Sequence, residues 1–290
     1  MTTQPANSSA RSANVNVAFH TLANGVSVPM LGLGMDNLTD ARLAEESVAC
    51  ALATGYRSVD TASGYQNEAA VGRAIAASRI ARADLYITTK VASADHGFDN
   101  ALRAFDRSCA ALGLEYLDAY HIHWPGKYRY VDTWRALIRL LEERRVRVIG
   151  VCNFLPHHLD RLFEETGVLP LVDQVEWHPY FAQTDVAAYA QSHAMLVEAW
   201  SPLMVGGPAL EDSVIRGIAA EVGRSPAQVV LRWHTQRGRR VFPKSVTPTR
   251  IAENLRIFEF SLTGDQLAAI DALAWHKQRI GPNPEIFFMR

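Results

Sequence analysis

The sequence predicts a (β/α)8 barrel, an α/β fold in which eight parallel strands alternate with helices. Three observations lead there. Eight short β-rich runs are separated by stretches of helical periodicity. Several runs, such as VRVIGV and LDAYHI, are near-continuous apolar stretches, as strands covered on both faces should be. The 290 residues contain no composition break or linker, and one barrel commonly runs to about 250 residues.

Residues 1–16 are small and polar and are expected to form a flexible tail, leaving 17–290 for a single barrel domain. Ala23-Asn24-Gly25-Val26 reads as a hairpin turn between His20–Leu22 and Val26–Pro29, placed to plug the bottom of the barrel. The strand candidates are Met30–Gly34, Tyr56–Thr61, Leu85–Lys90, Leu117–His123, Val146–Asn153, Leu171–Glu176, Met195–Trp200 and Arg240–Lys244. Leu102, Phe105, Cys109 and Leu112 form one apolar helical stripe, and Trp134, Leu137, Ile138 and Leu141 another. Ser225-Pro226 supplies an N-cap followed by Pro at N1, and Thr263-x-x-Gln266 a capping box.

Composition excludes several classes. Twenty-nine basic and 30 acidic residues give a net charge of −1, so no long-range attraction for nucleic acid or anionic membrane is expected. Cys50, Cys109 and Cys152 are widely spaced with no CxxC pair, which argues against a disulfide framework or structural zinc and for a reducing, cytoplasmic compartment. No apolar run approaches the ~18 residues of a membrane span.

Barrel chemistry gathers where strands end. Here those ends carry Asp60 with Tyr65 shortly after, Lys90, His121-Ile122-His123-Trp124, Cys152-Asn153, Asp173-Gln174-Val175-Glu176, Trp200-Ser201 and Lys244-Ser245. Each has an ordinary structural use when taken singly, such as an Asx-turn for Asp60 or a snorkelling stem for Lys90. Together they describe a proton donor. A free tyrosine, with pKa ~10, is too weak an acid, and a neighbouring Lys90 ammonium is expected to lower that value. Asp60 would keep Lys90 charged and oriented, and His123 would hold the substrate oxygen. Such a set protonates an oxygen that turns negative, as a carbonyl does on receiving hydride.

The stretches DTASGYQNE (Asp60–Glu68), ITTK (Ile87–Lys90), LDAYHIHWP (Leu117–Pro125), GVCNF (Gly150–Phe154), DQVEWHP (Asp173–Pro179), AWSPL (Ala199–Leu203) and FPKSVTPTRIAEN (Phe242–Asn254) resemble the aldo-keto reductase family. The similarity is greatest to its bacterial 2,5-diketo-D-gluconate reductase-like type. The resemblance implies an NADPH-dependent oxidoreductase that reduces aldehydes and ketones (small sugar-derived or dicarbonyl compounds, aromatic aldehydes), with Asp60, Tyr65, Lys90 and His123 as catalytic tetrad. It implies NADPH bound without a dinucleotide-binding domain of its own. Cys152, Asn153 and Gln174 would contact the nicotinamide carboxamide, and Trp200 would stack on the ring. Ser201 and Leu203 would line the cofactor. Lys244, Ser245, Thr247 and Arg250 would hold the 2′-phosphate, with Val246 also at the cofactor and Glu253 and Asn254 near adenine. Thr247-Pro248 places Arg250 in a first helical turn, where free N–H groups and the dipole also favour an anion. Trp124 and Met35 are expected in the substrate pocket, which should be relatively open because little chain remains for lids. A monomer without metal is expected. Gln66, Cys152, Asp173, Trp200 and His121 depart from the family's usual residues.

Three other readings are weaker. Tyr86-x-x-x-Lys90 has the spacing of short-chain dehydrogenases but lies in a β-branched run, and no Gly-rich phosphate loop precedes it. His121-x-His123 could begin the metal site of a barrel hydrolase, yet the other strand ends carry Lys, Asn, Gln and Trp. An NADPH-binding regulatory or structural barrel would not require the full tetrad.

Overall fold

The computed structural model describes residues 17–288. The expected tail, residues 1–16, lies outside the described residues. An antiparallel hairpin, β1 (Phe19–Thr21) and β2 (Ser27–Pro29), comes first. Eight parallel strands follow: β3 (Leu33–Gly34), β4 (Ser58–Asp60), β5 (Tyr86–Val91), β6 (Leu117–Ile122), β7 (Val146–Cys152), β8 (Val172–Glu176), β9 (Leu196–Trp200) and β10 (Arg240–Val241). Each pairs with the next in chain order. The helices are α1 (Ala41–Thr54), α2 (Glu68–Ser78), α3 (Phe98–Leu112), α4 (Tyr130–Glu142), α5 (Pro156–Thr166), α6 (Thr184–Ser192), α7 (Ser213–Val222), α8 (Pro226–Gln236), α9 (Pro248–Leu255) and α10 (Gly264–Asp271).

All eight predicted strands are present: four are trimmed by one residue, Leu85–Lys90 shifts by one to Tyr86–Val91, and three lose three residues each. Met30–Gly34 shrinks to Leu33–Gly34 and Arg240–Lys244 to Arg240–Val241 at the seam, and Tyr56–Thr61 to Ser58–Asp60 beside it. The seam still closes the sheet into a barrel. Val241 N–H donates to Met30 O (3.1 Å), Gly32 N–H to Val241 O (3.0 Å) and Gly34 N–H to Pro243 O (3.2 Å). Pro243 has no N–H to return, so the ladder stops there. The approach is close: a Cβ on Gly34 would stand 2.6 Å from the Phe242 carbonyl oxygen.

The predicted helical stripes face the sheet. Phe105, Cys109, Leu112, Trp134 and Leu137 are buried, while Leu102, Ile138 and Leu141 lie at the margin. Both predicted N-caps form. Ser225 and Thr263 each accept from the N3 backbone N–H, and Gln228 and Gln266 reciprocate.

Strand alternation decides what fills the barrel. At its base Tyr86, Ala119, Val148, Val172 and Leu196 meet Leu22 and Val28 from the hairpin, which plugs the open end as predicted. Above that layer the inward positions turn polar. Gln174 on β8 donates to Asp60 on β4 at 3.1 Å, a bond that must cross the interior because the two strands are not neighbours in the sheet.

Gly34→Ala is expected to destabilise the chain by about 1–3 kcal/mol, since a rigid backbone oxygen occupies the space of the added methyl. The readout is a lower urea midpoint at unchanged m-value.

Candidate active site

The site begins with a buried ion pair. Asp60 closes β4 and Lys90 lies on neighbouring β5, both facing inward. Lys90 is fully buried, and its Nζ donates to Asp60 Oδ2 at 2.6 Å and to Thr61 O at 2.9 Å. Desolvating an ammonium costs several kcal/mol unless an anion and hydrogen bonds replace water, as they do here. Burial, the largest single influence, would lower the Lys90 pKa, but its neighbours, Asp60 foremost, together outweigh it and the group is held above its ordinary range.

Tyr65 ends a short turn, Ser63–Tyr65, that returns over this pair. Ser63 Oγ donates to Lys90 O (3.0 Å), and Asn67, itself buried, ties the following residues to Met35 O (2.8 Å) and Leu38 O (3.0 Å). The Lys90 ammonium lies 5.1 Å from the Tyr65 ring centroid. His123 follows β6, and its Nε2 is 3.5 Å from the Tyr65 hydroxyl with the rings edge to face. The four predicted catalytic side chains are therefore brought together.

Their protonation differs from the expectation in one respect. Burial raises the Tyr65 pKa, and the Lys90 charge, which lowers it, is the smaller effect. Tyr65 is a tightly held acid rather than an incipient phenolate. His123 is pushed well below its ordinary value by burial and then by Lys90, so its ring is neutral.

Around these four, the side chains of the predicted carboxamide contacts are already engaged by their neighbours. Asn153, in the left-handed region at φ 64°, donates to His123 O (3.1 Å) and accepts from Trp200 Nε1 (2.8 Å). Gln174 Nε2 donates to Asp60 Oδ1 (3.1 Å) and to Glu198 Oε2 (2.9 Å), which leaves Oε1 as the free end of the amide. Cys152 is buried 3.8 Å from His121 Nδ1. Burial holds the thiol well above its usual pKa and brings His121 down to about 3, so both are neutral. Among the described residues, the group of three side chains placed to share a metal ion is His157, His158 and Glu285, which includes neither His121 nor His123.

At the other end, Lys244, Ser245, Val246 and Thr247 lead from β10 into α9, whose N-cap is Thr247 and N1 Pro248. The Thr247 side chain makes no capping bond, so the first-turn N–H groups stay available. Lys244 and Arg250 are exposed and, among the described residues, form no ion pair. Glu253 lines a cleft of about 700 Å3 between α7, α8 and α9, and buried Asn254 lies beside it in sequence. Ser201 and Leu203 are partly exposed after β9, where Ser201, Met204 and Val205 all have positive φ.

The substrate wall needs correction. Met35 is fully buried within the main hydrophobic cluster and offers no accessible face. Trp124 lies at the mouth but is only 6% exposed, because Phe287 packs on it with centroids 4.5 Å apart. The pocket is thus less open than the short C-terminus suggested. Glu176 anchors that segment, accepting from Ile280 N–H (2.6 Å) and Gly281 N–H (2.8 Å). Gly281 is required there, since a Cβ would stand 2.3 Å from the Trp200 ring.

Glu176, Glu198 and Arg240 were not among the predicted site residues. A period of two could have revealed the first two: Gln174 and Glu176, like Glu198 and Trp200, occupy the same face of their strands.

Residues 30–274 match the model of the aldo/keto reductase family. The chain is 45% identical over 277 residues to a 9,11-endoperoxide prostaglandin H2 reductase of Trypanosoma cruzi, covering 95% of this chain and 98% of that one. It is 46% identical over 264 residues to a glyoxal reductase of Bacillus subtilis, covering 91% and 95%. It is also similar to a solved variant of Gox0644 in complex with NADPH, at a TM-score of 0.90 and 39% identity over 94% of this chain and 99% of that one.

Acid stability follows from the buried imidazoles. Burial lowers His96 and His158 to about 4 and His121 to about 3, and holds His123 and His234 well below the ordinary value. Below pH ~6.5 the unfolded chain takes up protons that the folded chain refuses, so stability falls from there toward pH 4. Asp36, Glu68 and Asp173, raised by burial, act in the opposite sense, three groups against five. The thermal midpoint is expected to be lower at pH 5 than at pH 7.5; an equal or higher value at pH 5 contradicts the neutral assignments.

Proposed function

The chain belongs to the aldo/keto reductase family, and on that premise we propose how its side chains divide the work of NADPH-dependent carbonyl reduction. The carrying observation is the Tyr65 hydroxyl 3.5 Å from His123 Nε2, above a Lys90 ammonium paired with Asp60. When bound, NADPH supplies hydride to the carbonyl carbon. Tyr65 gives its proton to the carbonyl oxygen as negative charge develops there. The Lys90 ammonium then faces the phenolate left behind, and Asp60 keeps that ammonium in place. Neutral His123 orients the oxygen by a hydrogen bond and competes for no proton.

The raised pKa leaves Tyr65 protonated before turnover but makes it a weaker acid, so its proton leaves only as the Lys90 ammonium stabilises the phenolate. The chain also fits the dinucleotide. Two exposed, unpaired cations flank the open first turn of α9, as a 2′-phosphate requires. The free Gln174 Oε1 and the Asn153 amide suit a carboxamide, and Trp200 suits a flat ring beside them. Cys152 is too deeply buried to offer more than a weak contact.

The substrate class is small dicarbonyls and related aldehydes, including sugar-derived ketones. The relatives named glyoxal reductase and methylglyoxal reductase support it, as do the aromatic walls Trp124 and Phe287. A monomer acting in the cytoplasm, as one barrel domain, completes the reading. No helix among the described residues is long and apolar enough to cross a membrane.

Tyr65→Phe is expected to lower kcat by ~10²–10⁴, the usual contribution of one acid–base group. Wild-type turnover of methylglyoxal in that variant, followed by NADPH absorbance, refutes the assignment. Arg250→Ala should reduce kcat/KM with NADPH by ~10–100-fold, the worth of a charge-assisted hydrogen bond, and leave the value with NADH nearly unchanged. Equal kcat/KM for both cofactors in the wild type would remove the phosphate role of Lys244 and Arg250.

A further inference from the structure

Beneath the tetrad lies a second polar layer that the chemistry does not touch. Glu198 on β9 and Arg240 on β10 are both fully buried. Arg240 donates to Glu198 Oε1 at 2.5 Å, to Pro29 O at 2.7 Å and to Ser58 Oγ at 2.6 Å. Its guanidinium also lies 4.6 Å and 4.5 Å from the ring centroids of Tyr86 and Phe242. Every arm of the cation is fixed. A buried ion pair of this kind seldom stabilises a fold more than apolar residues of the same volume would. Its use must be sought in what it holds.

What it holds is Gln174. The second oxygen of Glu198 accepts from Gln174 Nε2 at 2.9 Å, and the other proton of that amide goes to Asp60 Oδ1 at 3.1 Å. Both acceptors are carboxylate oxygens, which have nothing to donate. The amide can therefore stand in one orientation only, with nitrogen toward the two anions and Oε1 away from them. Among the described residues, no donor satisfies that Oε1.

We propose that Glu198, fixed by Arg240, is a positioning residue for the dinucleotide: it holds the Gln174 amide so that Oε1 accepts from the carboxamide NH2 of nicotinamide. Glu198 touches neither cofactor nor substrate. It acts by forbidding the flipped amide, which would present NH2 to NH2. The inference rests on the reading of Gln174 as a carboxamide contact.

Glu198→Gln is isosteric and tests it. The new side-chain oxygen is drawn to Arg240, so its NH2 faces Gln174 Nε2 and repels it, leaving Asp60 as the one acceptor that still holds the amide. The Kd of NADPH, read by fluorescence, is expected to rise ~10-fold, the worth of one hydrogen bond. Adenosine 2′,5′-bisphosphate, which has the phosphate end and no nicotinamide, should bind both proteins equally. Unchanged NADPH affinity overturns the proposal. So does equal weakening of both ligands, which marks a general loss of structure. Should Glu198→Gln fail to fold, the double variant Glu198→Leu/Arg240→Met removes both charges together and faces the same two measurements, with the same selective loss expected. Gln174→Met separates the two layers of the argument. If it weakens NADPH selectively while Glu198→Gln does not, the positioning role alone falls. If it leaves NADPH binding unchanged, the carboxamide reading falls with it.

Discussion

An ammonium sealed inside a protein must be given an anion, and the upper half of this barrel is arranged around that requirement. Lys90 has no access to water, so Asp60 and the Thr61 carbonyl replace its hydration. Asp60 is in turn buried, and its second oxygen must be satisfied; Gln174 does so from across the barrel. Gln174 then has one proton left, which calls for another acceptor, Glu198, and a buried Glu198 calls for Arg240. Each polar group is the physical reason for the next. The column that results runs from the hairpin, through the Pro29 carbonyl, to the turn that carries Tyr65.

Such a column needs a closed container. Parallel strands bury both faces, and here the seam between Met30–Gly34 and Val241–Pro243 removes the last free edge. The hairpin excludes water from the base, with Leu22 and Val28 set among the inward residues of five strands. In a lower dielectric the Asp60–Lys90 attraction is stronger and the neutral forms of His121 and His123 are favoured. The helices outside contribute by packing alone, through the stripes on α3 and α4.

Much of this was legible in the sequence. Continuous apolar runs placed the strands, since both faces of a parallel sheet are dry, and the capping signals of Ser225 and Thr263 hold in the structure because they are local. Tyr65, Lys90, Asp60 and His123 could be named because they sit where strands end. Other features could not be read there. Met35 looks like a loop residue, but its side chain is fully buried, and burial is a property of neighbours that the local sequence does not contain. The Tyr65 pKa moved opposite to expectation because the sequence shows a nearby charge but not the depth of desolvation. The C-terminal segment looked too short to cover anything, and only its return across the mouth, held by Glu176, brings Phe287 onto Trp124.

By itself the sequence determined the barrel, its eightfold alternation and which ionisable side chains stand near the strand ends, because those depend on periodicity and on residue type. The tertiary structure alone decided which polar groups face one another across the interior. Asp60 and Gln174 are 114 positions apart, as are no residues that local propensity can couple, and they meet because closure of the sheet opposes β4 and β8. The second layer, Glu198 with Arg240, belongs to the same category: an inward charge in an apolar strand has no meaning until the barrel supplies its partner.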